Sequence, residues 1–160
     1  MRILVVSDTH RKNDLYVALC EKYAPLDMVI HCGDIEGSEY VIYEAAKCPV
    51  KMVTGNNDFF SDNPREEEFT IAGYKIWLTH GHNYYISMGN EILKDEARSR
   101  GVDIVMYGHT HRPVVEFDRG LYAINPGSLT YPRQEGRKPS YIIMTIDENR
   151  KLEFEIKYLS

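Results

Sequence analysis

The chain has 160 residues, 43% of them apolar and 27% charged, the length and balance of one globular domain around a single core. Lys and Arg number 19 against 24 Asp and Glu, a formal net charge of -5, which argues against a general polyanion-binding surface and so against broad nucleic-acid binding. No window approaches the roughly 18 apolar residues of a bilayer span, Met1 leads straight into a strand-like run, and Cys20, Cys32 and Cys48 stand at no useful spacing. A membrane protein, a cleaved leader, a disulfide frame and a zinc knot are therefore disfavoured, and a cytoplasmic setting with reduced thiols is expected.

A strand over residues 3–6 leads into the polar turn Ser7-Asp8-Thr9-His10. The helix that follows, Asp14–Tyr23, puts Leu15, Ala18 and Leu19 on one face, with Asp14 as its expected cap. Strand 28–30 runs into His31-Cys32-Gly33-Asp34, and a helix over 38–47 carries Val41, Ile42, Ala45 and Ala46. Strand 50–53 then runs into Thr54-Gly55-Asn56-Asn57-Asp58. Residues 69–72 and 74–78 flank Gly73 as a hairpin would, and the second strand ends in Thr79-His80-Gly81-His82. A helix over 90–100, closed by Gly101, precedes strand Ile104–Met106 and the turn Tyr107-Gly108-His109-Thr110-His111. Strands 114–117 and 121–124 form a second hairpin, followed by Asn125-Pro126-Gly127-Ser128; strands 141–146 and 152–158 form a third. Alternating strand and helix predicts a parallel core from the first half, and the hairpins predict antiparallel strands from the second. Together they predict one mixed α/β domain over residues 1–160.

Six of these strand-like runs end in a turn rich in Asp, Asn, His or Gly, and all six histidines fall in four of those turns. Ligands of open α/β sheets sit beyond the carboxyl ends of the strands, where such turns converge, so the turns are expected to build one polar site. Carboxylates, imidazoles and amides make a mixed oxygen and nitrogen donor set, better suited to Mn²⁺, Fe²⁺, Zn²⁺ or Ni²⁺ than to Ca²⁺ or copper(I). Taken singly, Asp8 reads as a turn former, Asp34 as a cap, and Asn56-Asn57-Asp58 as a loop tip tolerant of left-handed backbone. His109 and His111 resist that reading, because alternate residues of an extended segment present two imidazoles together.

In order and spacing, Asp8-Thr9-His10, Gly33-Asp34, Gly55-Asn56-Asn57-Asp58, His80-Gly81-His82 and Gly108-His109-Thr110-His111 resemble the motifs of calcineurin-like metallophosphoesterases. The chain is most similar to the small YfcE-like phosphodiesterases, a likeness to which Asn125-Pro126-Gly127-Ser128 adds and which covers essentially the whole chain. The resemblance implies a four-layer α/β/β/α sandwich, two mixed β-sheets flanked by helices, with two divalent metal ions at the strand ends. Mn²⁺ is favoured, with Ni²⁺, Fe²⁺ or Zn²⁺ as alternatives. Asp8, His10 and His111 would hold the first ion, Asn56, His80 and His109 the second, and Asp34 would bridge both. The catalytic positions carried over are Asn57, Asp58 and His82. Asp58 would orient its neighbours, His82 would touch a substrate oxygen, and Asn57 stands where many relatives have the histidine that protonates the leaving oxygen or holds the phosphate. His31 is expected to be structural.

The implied activity is hydrolysis of a small phosphodiester by in-line attack of a hydroxide bridging two metals, which answers the difficulty that a diester anion repels hydroxide. An amide cannot act as a general acid near neutral pH, so Asn57 implies a preference for good leaving groups, or a proton from His82 or a coordinated water. Two further readings are weighed. A nuclease finds no added domain or basic groove here, Arg133, Arg137 and Lys138 being read as solvated loop charges. A non-catalytic scaffold, like the retromer subunit of the same fold, is expected to have partly degraded motifs, whereas all seven candidate ligands are present. Phe59-Phe60 and Tyr84-Tyr85 follow site motifs and either wall a substrate pocket or pack on a sheet edge or partner subunit, which leaves a homo-oligomer open. Only Asp8 and Asp34 are anionic among the ligands, so two divalent ions would make the centre slightly cationic inside an acidic chain.

Overall fold

Apolar residues on both faces of the central strands decide the layering. In the computed structural model, which describes residues 1–160, strand β1 (Arg2–Val6) sends Ile3 and Val5 to one face and Leu4 and Val6 to the other, all four fully buried. A strand buried on both sides needs a layer on each side. The outer layer comes from α1 (Asp14–Tyr23) and α2 (Glu39–Ala46), whose Tyr16, Leu19, Cys20, Ile42 and Ala46 pack on Leu4, Val6 and the outward residues of β2 (Met28–His31) and β3 (Val50–Met52). The inner faces of two sheets meet through Ile3, Val5, Ile30, Ile76, Leu78, Ile104, Ile124 and Met144. On the far side α3 (Glu91–Arg100) lays Leu93 and Ala97 over Trp77, Val105 and Ala123. The result is the expected four-layer sandwich.

The remaining strands are β4 (Glu66–Ile71), β5 (Tyr74–Thr79), β6 (Ile104–Met106), β7 (Pro113–Asp118), β8 (Leu121–Pro126), β9 (Ser140–Ile146) and β10 (Leu152–Tyr158). The first sheet has the order β10-β9-β1-β2-β3, with β1, β2 and β3 parallel and the β9–β10 hairpin added antiparallel beside β1. The second has the order β4-β5-β6-β8-β7, with β5, β6 and β8 parallel at its centre and antiparallel strands at both edges. All three hairpins form as read, yet the second half of the chain is more parallel than its hairpins implied. α3 acts as the crossover between β5 and β6, and the whole β6–β7 segment carries the chain on to β8.

Smaller differences have local causes. Asn13, rather than Asp14, occupies the cap position of α1, and Asp14 is its first residue. β4 starts three residues earlier than its apolar run, at Glu66, because it is an edge strand whose glutamates pair with Arg100 and Lys51. Two short 3₁₀ turns, His82–Tyr84 and Ile86–Met88, follow β5. No helix is long and apolar enough to cross a membrane.

The core should dominate stability. Ile142→Ala, at a fully buried position between the sheets, is expected to cost about 2–5 kcal/mol. Ile92→Ala, on the exposed face of α3, should stay within about 0.5 kcal/mol. Urea titrations of the two variants check this.

Candidate metal centre

The carboxyl ends of β1, β2 and β3 in one sheet and of β5 and β6 in the other open onto the same edge of the sandwich. Each is followed at once by polar residues: Asp8 and His10 after β1, Asp34 after β2, Asn56 to Asp58 after β3, His80 after β5, His109 and His111 after β6. The chain turns sharply there to aim these side chains inward. Asp8, His10, Asp34, His109 and His111 all have left-handed backbone, with φ between 47° and 71°, a conformation uncommon outside glycine and concentrated at functional sites. Glycine makes room at two contacts. A Cβ on Gly55 would fall on the carboxylate of Asp34, and one on Gly108 would fall on the Ser7 hydroxyl beside Asp8.

Within this edge Asp8 Oδ1 lies 3.2 Å from His111 Nε2, 3.8 Å from His10 Nε2 and 3.7 Å from His80 Nε2. Asp34 Oδ2 lies 3.4 Å from His80 Nε2 and 3.7 Å from His10 Nε2. The remaining pair, Asn56 and His109, meets at 3.0 Å between Oδ1 and Nδ1. The structure thus brings five of the seven sequence-read donors into two overlapping clusters, Asp8–His10–His111 and Asp8–Asp34–His80, while His109 sets its ring 5.2 Å from that of His80 and Asn56 reaches the group only through His109. It also sets Asp8 against both halves of the group, as it does Asp34.

For Asp8 and His80 the outward atom is fixed by the protein and the inward atom has no hydrogen-bond partner, whereas the inward Nε2 atoms of His10 and His111 lie 3.3 Å apart. Asp8 Oδ2 accepts from the Ser7 hydroxyl (2.6 Å) and the His109 backbone N–H (3.0 Å). His80 Nδ1 donates to the Cys32 carbonyl and His111 Nδ1 to the Tyr131 carbonyl, both at 2.7 Å, which turns each Nε2 toward the centre. His10 Nδ1 sits 3.1 Å from Glu36 Oε1. Asp8 Oδ1 and His80 Nε2 are fully buried with no hydrogen-bond partner. A buried carboxylate oxygen and a ring nitrogen without partners are costly unless a cation joins them. On that ground the residues fit divalent metal.

Electrostatics agree with this. Burial opposes ionisation of Asp8, but the charge of His80, with His111 and Ser7, outweighs it and holds the carboxyl below its usual value. Asp34 is lowered too: burial works against it, and His80 and the two N–H groups of Asn57 prevail. His80 is pushed up to about 9, because Asp8 and Asp34 overcome the cost of burying its charge. Burial and the His80 charge hold His109 and His82 below the ordinary histidine value. With no metal present the two carboxylates therefore draw a proton onto His80.

The other sequence-read residues take distinct places. Asn57 gives its backbone N–H to Asp34 Oδ1 (2.9 Å) and its side-chain amide to Oδ2 (3.0 Å). Asp58 accepts four backbone N–H bonds, from Asp34, Ile35, Glu36 and Gly55, at 2.6–2.8 Å, and so ties the β2 turn to the β3 turn. The His82 ring stands 5.5 Å from that of His80 and 6.2 Å from that of His109, with Nδ1 buried and unpartnered. His31, accepting from the Gly33 N–H and joined to the Thr9 hydroxyl, braces the first two turns and is held down to about 4 by burial. Asn125 binds the Gly108 carbonyl and the Thr110 hydroxyl, while Ser128 donates to the Asp8 carbonyl, so this motif locks the β1 and β6 turns together. Sequence reading missed Ser7 and Glu36, and the carbonyls of Cys32 and Tyr131, which leave no mark in residue type. Tyr84 turns away from the centre, its ring edge-on to Trp77 and its hydroxyl on Glu66, while Phe59, Phe60 and Tyr85 are exposed.

Comparison with known proteins gives a consistent result. The family model for the calcineurin-like phosphoesterase superfamily domain matches residues 1–149. A probable metallophosphoesterase of Bacillus subtilis, YsnB, is 35% identical over 93% of this chain and 86% of its own. A predicted phosphoesterase from Streptococcus pneumoniae superposes with a TM-score of 0.84 at 28% identity, over 98% of this chain and 88% of its own. The phosphodiesterase MJ0936 of Methanocaldococcus jannaschii is 31% identical over 79% of this chain and 83% of its own. Vacuolar protein sorting-associated protein 29 of Schizosaccharomyces pombe is 29% identical over 91% and 85%.

Since His80 carries its proton up to about pH 9 and a metal ligand must be neutral, metal binding should release a proton. The affinity of the chelator-treated protein for Mn²⁺ is expected to fall up to about tenfold per pH unit as pH drops below 9, and to level off above it. Calorimetric titrations in buffers of different ionisation enthalpy measure both effects.

Proposed function

The chain belongs to the calcineurin-like phosphoesterase superfamily, and from that premise we propose that it is a metal-dependent phosphodiesterase, acting on a small phosphodiester with two divalent cations, Mn²⁺ foremost. The observation that carries this reading is the pair of buried, partnerless atoms, Asp8 Oδ1 and His80 Nε2, at the meeting of two donor clusters. Asp8, His10 and His111 would hold one cation, Asn56, His80 and His109 the other, with Asp34 between them. When bound, such a pair lowers the pKa of water to make a nucleophile and clamps the phosphoryl oxygens.

The chain's own residues do the rest. Asp34, fixed through both oxygens by Asn57, keeps one geometry between the two halves of the centre. Asp58 is a positioning residue, because its carboxylate is fully occupied by backbone N–H groups of the two turns that carry Asp34 and Asn56. His82 stands beside His80 and His109, where its ring can hydrogen-bond a phosphoryl oxygen. Asn57 can donate a hydrogen bond to the phosphate but cannot protonate a leaving alkoxide. The substrates suited to this site are diesters whose leaving group departs without that help. The identity to MJ0936, named a phosphodiesterase, supports the diester over the monoester.

A second reading, a binding scaffold without turnover, draws on the identity to vacuolar protein sorting-associated protein 29. Mn²⁺ titration of the chelator-treated protein with bis(p-nitrophenyl) phosphate separates the two. Turnover that rises and saturates with Mn²⁺ is expected; Mn²⁺ binding without turnover would establish the scaffold.

A second measurement addresses the leaving group. Asn57→His is expected to raise kcat/KM for an alkyl diester at least tenfold relative to the aryl diester. Unchanged relative rates would remove Asn57 from any part in leaving-group departure.

A further inference from the structure

Six of the ten arginines of this chain are held by acids or backbone carbonyls. Arg100 pairs with Glu66, Glu68 and Glu96, Arg98 with Asp118, Lys94 with Glu91 and Glu116, and Lys51 with Glu67. Arg2, Arg11 and Arg150 each donate to a backbone carbonyl, and Arg119 pairs with Asp118. Of the ten arginines, this leaves Arg65, Arg112, Arg133 and Arg137 with no acidic partner and no guanidinium hydrogen bond. In an acidic chain, surplus carboxylates would be expected to claim them.

Three of the four lie at one place. A cavity of about 620 Å³ is lined by the metal-centre residues His10 and His111 together with Arg112, Arg133, Arg137 and Tyr131. A second cavity, about 460 Å³, shares Arg112 and Arg133 and continues to the Thr110, Tyr107 and Asn90 side chains. Lys12 stacks over the Tyr131 ring at 4.8 Å and adds a further positive charge to the rim. Arg112 directly follows His111 in sequence, and the Arg133 backbone N–H donates to the His111 carbonyl at 3.0 Å, so both are tethered to a donor of the metal centre. The loop's one acid, Glu135, forms no ion pair with them. Unpaired guanidiniums lining a concave surface suit phosphate, whose oxygens match their forked N–H groups.

We propose that Arg112, Arg133 and Arg137 form a second anion subsite beside the metal centre, and that the substrate is a phosphodiester carrying a further phosphoryl group. This deepens the phosphodiesterase reading and rests on it. With the reacting phosphorus at His10 and His111, the extra phosphate lies under the three arginines, and the rest of the molecule extends into the cavity bounded by Tyr107 and Asn90.

The test compares thymidine 5′-(p-nitrophenyl phosphate) with the same ester bearing a 3′-phosphate, in the Mn²⁺-loaded protein. The 3′-phosphorylated ester should be favoured at least tenfold in kcat/KM, through KM, and in the R112Q/R133Q/R137Q variant that ratio should fall to about one. A wild-type ratio near one, or a ratio the triple variant keeps, overturns the subsite. Should neither ester turn over, the phosphodiesterase reading fails by itself, and calorimetry then judges the subsite. Thymidine 3′,5′-bisphosphate should bind at least tenfold tighter than thymidine 5′-monophosphate to the wild type and equally to the variant; equal binding to the wild type overturns it.

Discussion

Two carboxylates buried a few ångströms from one another at the edge of a sandwich set the terms for everything around them. Asp8 and Asp34 cannot both stay ionised in a dry setting without compensation. Much of the nearby structure supplies it: N–H groups from Asn57 and His109, the Ser7 hydroxyl, and the nitrogen of His80. Around both carboxylates the backbone comes unusually close, and glycines stand at 55 and 108 where a Cβ would fall on the Asp34 carboxylate or on the Ser7 hydroxyl beside Asp8. The demand for positive charge that remains is met by a proton on His80 or by cations between the histidines. The site thus follows from a shortage of compensation, which either a proton on His80 or a metal cation can relieve.

Much of the architecture was legible in the sequence because both faces of the central strands are apolar and the intervening helices are amphipathic. The three helices fall within a residue of their expected bounds, and each hairpin forms between the pair of strand-like runs that announced it. The assignment of strands to sheets was not legible. β9 and β10 return to the side of β1, a pairing over more than a hundred residues that no local pattern records. The three parallel strands at the centre of the second sheet were hidden likewise, since β7 and β8 look like a simple hairpin until β8 pairs with β6.

At the site, donors were legible because their residue types are rare and sit where strands end. Their supports were not. The Cys32 and Tyr131 carbonyls orient two histidines through backbone atoms that every residue possesses. Glu36 is one glutamate among many until the fold sets it against His10. The arginines of the 131–139 loop looked like solvated charge for the same reason: which cations are neutralised depends on which acids the fold brings to them. A net charge of -5 conceals a separation, with the acids spent on the ion pairs of β4 and α3 and unpaired guanidiniums left at the cavity mouth.

The left-handed backbone at five of the seven candidate donors has an evolutionary consequence. Each such non-glycine residue costs of the order of 1–3 kcal/mol, and none of the five belongs to the three apolar clusters. Function and foldability are therefore separable in this chain, and selection for one is not selection for the other. A lineage that ceased to need the chemistry could exchange these donors for residues content in their conformation, and would gain stability as it lost activity. The sandwich is thus a frame that can outlive its reaction, and its surfaces remain free to be recruited to other work.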